Sequence, residues 1–166
     1  MDSNKVEDYL WKALDQTNEW LRYAEAKAIA VLGIDGLLVG FLFSVVVDKN
    51  VTDGRLVTKL ALAIAAVASS ISAYYAFRCL HPKVKLRGGV SPFFFGSIAT
   101  SFKDSSEYLA FAAQRLKERE GAAAEVAGQV FVNSQIANQK FGDVARAMRF
   151  MAISVPLWGL AVFSLL

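Results

Sequence analysis

The sequence predicts an all-α membrane protein with three transmembrane helices and a cytoplasmic helical bundle. Hydrophobic residues make up 55% of the 166 residues and charged residues only 20%. Soluble domains average about 45–50% apolar and about 25% charged residues. The apolar residues are concentrated in three blocks, and helical spacing of apolar residues continues between the blocks. We expect the N-terminal helix and the segment between spans two and three to form the bundle.

Residues 1–27 form the first predicted element, an amphipathic cytoplasmic helix. Val6, Leu10 and Leu14 recur every four residues, so they share one face of a helix. No Gly or Pro interrupts the chain before Gly33. We therefore expect this helix to continue into the first span.

Three apolar segments have the length that a bilayer crossing requires. A hydrocarbon core of about 30 Å needs about 20 helical residues. The predicted spans are 28–47, with Asp35 as its single charge, the uncharged segment 60–77, and the shorter segment 150–166. An external turn over 48–59 joins the first two spans.

The basic residues predict the orientation of these spans. Fifteen of the 18 Lys and Arg residues lie in 1–27 and 78–149. Cytoplasmic segments of membrane proteins carry an excess of Lys and Arg. Both segments are therefore predicted to be cytoplasmic, with the C-terminus on the opposite side. The net charge of +3 is too small to indicate a nucleic-acid partner.

The segment 78–149 is predicted to form the larger part of the cytoplasmic module. His81-Pro82 and Arg87-Gly88-Gly89 interrupt any helix that leaves span two. Helices are expected over about 103–120 and about 122–148, separated by a break at Gly121. The second of these helices should continue into span three.

The residue types do not form a catalytic set. The chain has one His and one Cys, and it has no paired carboxylates in a catalytic context and no phosphate-binding glycine loop. We therefore predict no enzyme activity, no catalytic residues, no metal site and no cofactor.

Two polar stripes could bind a small anion. Gln129, Asn133 and Lys140 are spaced by four and seven residues, which places them on one face of the last cytoplasmic helix. Asn18, Arg22 and Glu25 form a similar stripe on the first helix. The alternatives are a solvated flank on the last helix and an Arg22–Glu25 surface ion pair, worth under about 1 kcal/mol, on the first.

Asp35 has two interpretations. A carboxylate inside a span costs several kcal/mol unless it is protonated or paired. Asp35 could make a polar contact between spans or subunits that changes on activation. Alternatively, it stays protonated and bonds a serine of span two, the candidates being Ser69, Ser70 and Ser72.

Four segments resemble the Pycsar effector domain family, the transmembrane effectors of a bacterial anti-phage system. The segments are 18–36 (NEWLRYAEAKAIAVLGIDG), 94–99 (FFGSIA), Tyr108-Leu109 and 128–141 (GQVFVNSQIANQKF). Their order and spacing carry the resemblance. One departure is Asp35, where an uncharged polar residue such as Asn is expected.

The resemblance implies a cytoplasmic sensing module that binds a cyclic pyrimidine mononucleotide, cCMP or cUMP, made by a partner cyclase. Binding would then impair the bacterial inner membrane and cause abortive infection. The cyclase need not contact the effector, and we expect a homo-oligomer embedded in the lipid bilayer. The implied nucleotide-binding residues are Arg22, Lys27 and Lys140 for the phosphate, Gln129 and Asn133 for base or ribose, and Phe94 for stacking.

Other hypotheses stay open at this stage. One is a non-enzymatic membrane scaffold or small channel or transporter subunit, with Asp35 as an ion or proton site. Another is a related two-span effector family that responds to other second messengers.

Overall fold

A computed structural model describes residues 3–47, 56–82, 90–93, 95–117 and 119–163. These ranges contain five helices and no strand, which confirms the all-α class. The helices are α1 (Ser3–Val47), α2 (Leu56–Leu80), α3 (Phe95–Ser101), α4 (Ser105–Lys117) and α5 (Arg119–Phe163).

The chain divides into two compact units. Unit 1 comprises Met1–Arg22 and Pro82–Asn138, and unit 2 comprises Tyr23–His81 and Gln139–Leu166. Unit 1 therefore holds α3, α4 and the first parts of α1 and α5. Unit 2 holds α2 and the remaining parts of α1 and α5.

The two longest helices run as the sequence predicted. α1 continues from the amphipathic segment into the first apolar block, and α5 continues into the third. Gly33, Gly36 and Gly40 all lie within α1, and a Cβ atom added at any of them would meet no described residue within 4 Å. Packing against the described part of the chain therefore does not require these glycines.

Two helices of the described residues are long and apolar enough to cross a membrane. They are Leu56–Leu80 and Ala122–Phe163. The first contains all of predicted span two, and the second contains most of predicted span three. The span predicted over 28–47 stays a prediction.

Several predicted boundaries need correction. A turn was predicted over 48–59, but residues 56–59 belong to α2, because no helix breaker follows Gly54. Residues 48–55 lie outside the described residues. The helix predicted over 103–120 spans Ser105–Lys117. α5 begins at Arg119, so Gly121 lies inside its first turn and not at a break. The seven-residue α3 is too short to show periodicity and was not predicted.

The core of unit 2 consists mainly of small side chains. Six of its buried residues are Ala or Cys with no exposed surface, and small residues let helix backbones approach closely. One cluster joins all three helices of the unit through Ala24, Ala28, Val31, Ala76, Cys79, Val144 and Ala147. A second cluster contains Leu62, Ala65, Trp158 and Ala161.

Unit 1 is held by mixed contacts between short elements. Phe102 lies 5.5 Å from the ring of Tyr108 and 5.1 Å from that of Phe111, measured between centroids. The Tyr108 hydroxyl donates a hydrogen bond to the Pro92 carbonyl oxygen over 3.0 Å. These contacts fix α4 against the loop that precedes α3.

Asp104 caps the N-terminus of α4. Its Oδ1 accepts hydrogen bonds from the backbone N–H groups of Ser106 and Glu107, both over 2.9 Å. Such bonds satisfy donors that have no partner within the helix. The hydrogen bond from the Ser106 side chain lowers the pKa of the Asp104 carboxyl, so the cap persists at neutral pH.

The small-residue packing of unit 2 gives a direct test. Ala28 is fully buried in α1, whereas Ala30 is exposed on the same helix. Replacing Ala28 by Leu should cost about 1–3 kcal/mol of unfolding free energy, because overpacking displaces neighbouring side chains. The measurement is unfolding of the purified protein in detergent. Ala30→Leu is the matched control and should leave stability unchanged; equal effects of the two variants would contradict the packing described.

Candidate functional site

Three amide side chains of unit 1 form a continuous hydrogen-bonded chain. Gln129 Nε2 donates to Asn133 Oδ1 over 2.8 Å, and Asn133 Nδ2 donates to Asn18 Oδ1 over 2.8 Å. All three side chains are half-buried. Asn18 comes from α1 and the other two from α5, so the chain links the polar stripes that the sequence predicted separately.

The amide chain leaves one hydrogen-bonding group free at each end. Within the described residues, the carbonyl oxygen of Gln129 and the amide nitrogen of Asn18 have no partner. If all three amides were turned over, the donor and the acceptor would exchange ends. In either orientation, one end donates and the other end accepts.

Arg22 adds a positive charge to the same unit. It follows Asn18 by four residues on α1, so the two side chains lie on one helix face. Arg22 is exposed and makes no ion pair with any described residue. Its guanidinium is therefore available to an anion.

An aromatic contact lies elsewhere in unit 1. The rings of Trp11 and Phe93 meet edge to face, with centroids 5.2 Å apart and planes at 87°. Phe94, the predicted stacking residue, lies outside the described residues. Sequence reasoning overlooked Trp11, although it precedes Asn18 by seven residues, which is two helical turns.

Lys140 is buried in unit 2 and bridges three helices. Its side chain is 6% exposed. The ammonium donates to Glu25 Oε1 of α1 over 2.6 Å and to the carbonyl oxygen of Cys79 in α2 over 2.7 Å. Cys79 lies in the last turn of α2, where carbonyl oxygens lack helical partners and cations are favoured. In this structure, the predicted phosphate ligand therefore ties the end of α2 to α1 and α5.

A second charged cluster surrounds Asp143 in unit 2. Asp143 Oδ1 lies 2.7 Å from Arg78 Nη2 and 3.4 Å from Arg146 Nη1, and the Asp143 side chain is 1% exposed. Both guanidinium groups also lie over the ring of Tyr75, at 5.4 and 5.6 Å from its centroid. The buried carboxylate is thus neutralised by two half-exposed cations.

The remaining predicted cation is Lys27, also in unit 2. Its ammonium lies 4.4 Å from the centroid of the Tyr23 ring, one turn earlier on α1. This is a cation–π distance, which is worth about 0.5–1 kcal/mol when exposed. Lys27 therefore has a local partner that an anionic ligand would have to replace or share.

Asp35 is buried in unit 2 with no hydrogen-bond partner. It is 2% exposed, and neither carboxylate oxygen makes a hydrogen bond within the described residues. Of the three predicted serine partners, Ser72 lies against the carboxyl. Ser69 accepts from Trp158 Nε1 over 3.3 Å, and Ser70 is exposed and donates to the Ala66 carbonyl oxygen. Among the described residues, no group of three His, Cys, Asp or Glu side chains could hold a metal ion.

Comparison with known proteins identifies the family. The model of the Pycsar effector protein domain matches residues 9–166. The chain belongs to the Pycsar effector family. All four segments whose resemblance was noted in the sequence lie inside the matched range.

This Pycsar effector is also similar to a curated relative. The Pycsar effector protein PtPycTM of Propioniciclava tarda is 29% identical over 135 residues, which cover 79% of this chain. The match covers 66% of that relative, so the chain spans slightly less than two thirds of its length. No solved structure matches the chain significantly.

The position of Lys140 predicts a structural cost when it is replaced. Lys140→Met should lower the unfolding free energy by about 2 kcal/mol, because the change removes two charge-assisted hydrogen bonds of a buried ammonium group. Denaturant unfolding in detergent measures this loss. Lys12→Met removes an exposed ammonium and should change stability by less than about 0.5 kcal/mol. A Lys140→Met protein as stable as the Lys12→Met control would show that the bridge contributes nothing.

Proposed function

We propose that this Pycsar effector is a non-enzymatic membrane effector of bacterial anti-phage defence that binds a cyclic pyrimidine mononucleotide and then impairs the inner membrane. The observation that carries the proposal is the family match over residues 9–166. The two helices able to cross a membrane, Leu56–Leu80 and Ala122–Phe163, are consistent with it.

We propose that the amide chain of unit 1 contacts the base of the nucleotide. Cytosine presents a donor amino group beside an acceptor nitrogen, and uracil presents a donor N–H beside acceptor oxygens. The amide chain has one free donor and one free acceptor, at Asn18 and Gln129, and these can exchange by turning the amides over. Each end of the chain can therefore pair with either a donor or an acceptor group of a base, so the proposal covers both cCMP and cUMP.

We propose Arg22 of unit 1 as a ligand of the cyclic phosphate. Its guanidinium is exposed and unpaired among the described residues, one turn from Asn18. Planar guanidinium groups match phosphate oxygens and form charge-assisted hydrogen bonds. Lys27, Lys140 and Phe94 stay predicted ligands from the sequence, and the first two already have partners in unit 2.

The proposed output is a change in the membrane part of the protein. Both α1 and α5 contribute residues to unit 1 and to unit 2. We propose that a ligand-induced change in unit 1 is transmitted to unit 2 through α1 and α5, without an intervening loop. We propose that residues 28–47 add a third span, that the active form is a homo-oligomer, and that a pyrimidine cyclase supplies the signal without needing to bind the effector.

Nucleotide binding is tested by isothermal titration calorimetry of the detergent-solubilised protein with cCMP and cUMP. Binding at micromolar or tighter Kd is expected for one of the two. Arg22→Ala and Asn133→Ala should each weaken it by about tenfold or more, since one hydrogen bond to a charged or buried group is worth about 1.5–3 kcal/mol.

Arg115→Ala is the matched control, because Arg115 is an exposed arginine of the same unit and pairs with Glu125 over 3.8 Å. It should leave affinity unchanged. If neither cCMP nor cUMP binds, the proposed function is overturned. Normal binding by both Arg22→Ala and Asn133→Ala would overturn only the placement of the site.

The proposed orientation is tested by cysteine labelling in intact cells. Cys79 is fully buried, so the native thiol should give little background. Asp53→Cys, in the predicted external turn, should react with a membrane-impermeant maleimide, whereas Ser106→Cys at the exposed start of α4 should react only after lysis. The reverse pattern would contradict the orientation predicted from the basic residues.

A further inference from the structure

A layer of buried polar side chains separates the two apolar clusters of unit 2. On each of the three helices, a polar residue stands between a residue packed in the first cluster and a residue packed in the second. The order is Val31, Asp35, Leu38 on α1; Ala76, Ser72, Ala65 on α2; and Met151, Ser154, Trp158 on α5. All three polar residues of the layer are at least 98% buried.

Within this layer, Asp35 has no compensating group. Both of its carboxylate oxygens and the hydroxyl of Ser72 lack hydrogen-bond partners among the described residues. Of the other buried hydroxyls, Ser69 accepts from Trp158 Nε1 and Ser154 donates to the Met151 carbonyl oxygen. The charge state of Asp35 must therefore be decided without a cation from the described chain.

Asp143 shows how unit 2 holds an ionised acid. It is as buried as Asp35, but two guanidinium groups contact its Oδ1. A buried carboxylate without such partners is strongly disfavoured, and it is relieved by taking up a proton or a cation. A hard divalent cation such as Ca²⁺ takes about six to eight oxygen ligands, whereas the layer offers three unpartnered oxygens.

We propose that Asp35 and Ser72 form a proton-binding site, in which a protonated Asp35 carboxyl donates a hydrogen bond to the Ser72 hydroxyl oxygen. One proton then removes the buried charge and pairs two side chains that otherwise lack partners. The proposal rests on the geometry of unit 2 and does not depend on the identity of the nucleotide.

The site has a consequence for the membrane part. While the layer is closed, Asp35 is neutral and unit 2 carries no unpaired charge at this level. If unit 2 opens enough to admit water, the carboxyl ionises, because water solvates the charge that burial disfavours. The layer then acquires a fixed negative charge that attracts cations. The charge of Asp35 therefore differs between the closed and the open form of unit 2.

The first test is modification by dicyclohexylcarbodiimide, an apolar reagent that reacts with protonated carboxylic acids. The acid proton passes to a carbodiimide nitrogen and the carboxylate oxygen bonds to the central carbon. The O-acylisourea so formed rearranges to an N-acylurea, and no group is lost. We expect one adduct, mapped by mass spectrometry to the peptide that contains Asp35, at neutral pH. Asp143 is the internal control, since an ion-paired carboxylate should stay unmodified.

The second test does not require a reagent to reach the site. The infrared spectrum of the full chain in detergent should show the carbonyl band of a protonated carboxylic acid, and the band should be absent from Asp35→Asn. Asp35→Asn should also retain the wild-type melting temperature, because the amide replaces a neutral acid of the same shape.

The proposal is overturned by absence of the protonated-acid band at neutral pH. It is also overturned if sodium chloride, but not choline chloride, suppresses both the band and the adduct, which would identify a cation in place of the proton. A large fall in the melting temperature of Asp35→Asn would likewise argue for an ionised Asp35 with an unrecognised partner.

Discussion

The packing of unit 2 depends most on the two hydrogen bonds that the Lys140 ammonium group donates. The ammonium contacts Glu25 of α1 and the Cys79 carbonyl of α2 from its own position on α5. One buried charge therefore holds the end of α2 in position relative to α1 and α5. The small residues around it make the contact possible, because Ala24 and Cys79 have no exposed surface and allow the helices to approach. A larger side chain at either position would move the acceptors out of reach of the ammonium.

The sequence predicted the helices well because their signals are local. Apolar blocks, helical spacing and the absence of Gly and Pro are read over a few turns, and they located α2 and the continuity of α1 and α5. The partners of Lys140 could not be found in this way, since Glu25 and Cys79 lie 115 and 61 residues away. A lysine on a polar stripe looks exposed until the fold shows what covers it. That is why Lys140 was predicted as a phosphate ligand and not as a bridge.

The amide chain could be predicted from the sequence only in part. Helical spacing placed Gln129 and Asn133 on one face, and the same argument placed Asn18 with Arg22 on another helix. Only the structure joins Asn133 to Asn18, over 2.8 Å. An amide chain that can reverse its direction does not by itself favour one base edge. In the proposed binding mode, discrimination between cytosine and uracil would come from a group that fixes the orientation of the amides, such as a charged neighbour that contacts only one end.

The two buried acids of unit 2 show why residue type alone does not determine function. Asp35 and Asp143 are equally enclosed, and both sit on helices that carry apolar blocks. Arg146 follows Asp143 by one turn, a local signal for an ion pair, and Arg78 completes the pair from α2. No basic residue lies within a turn of Asp35, and its helix neighbours are apolar residues and glycines. The same carboxyl group is therefore a fixed anion in one place, where it anchors two guanidinium groups. In the other place, the carboxyl group is equally buried but has no cation beside it among the described residues.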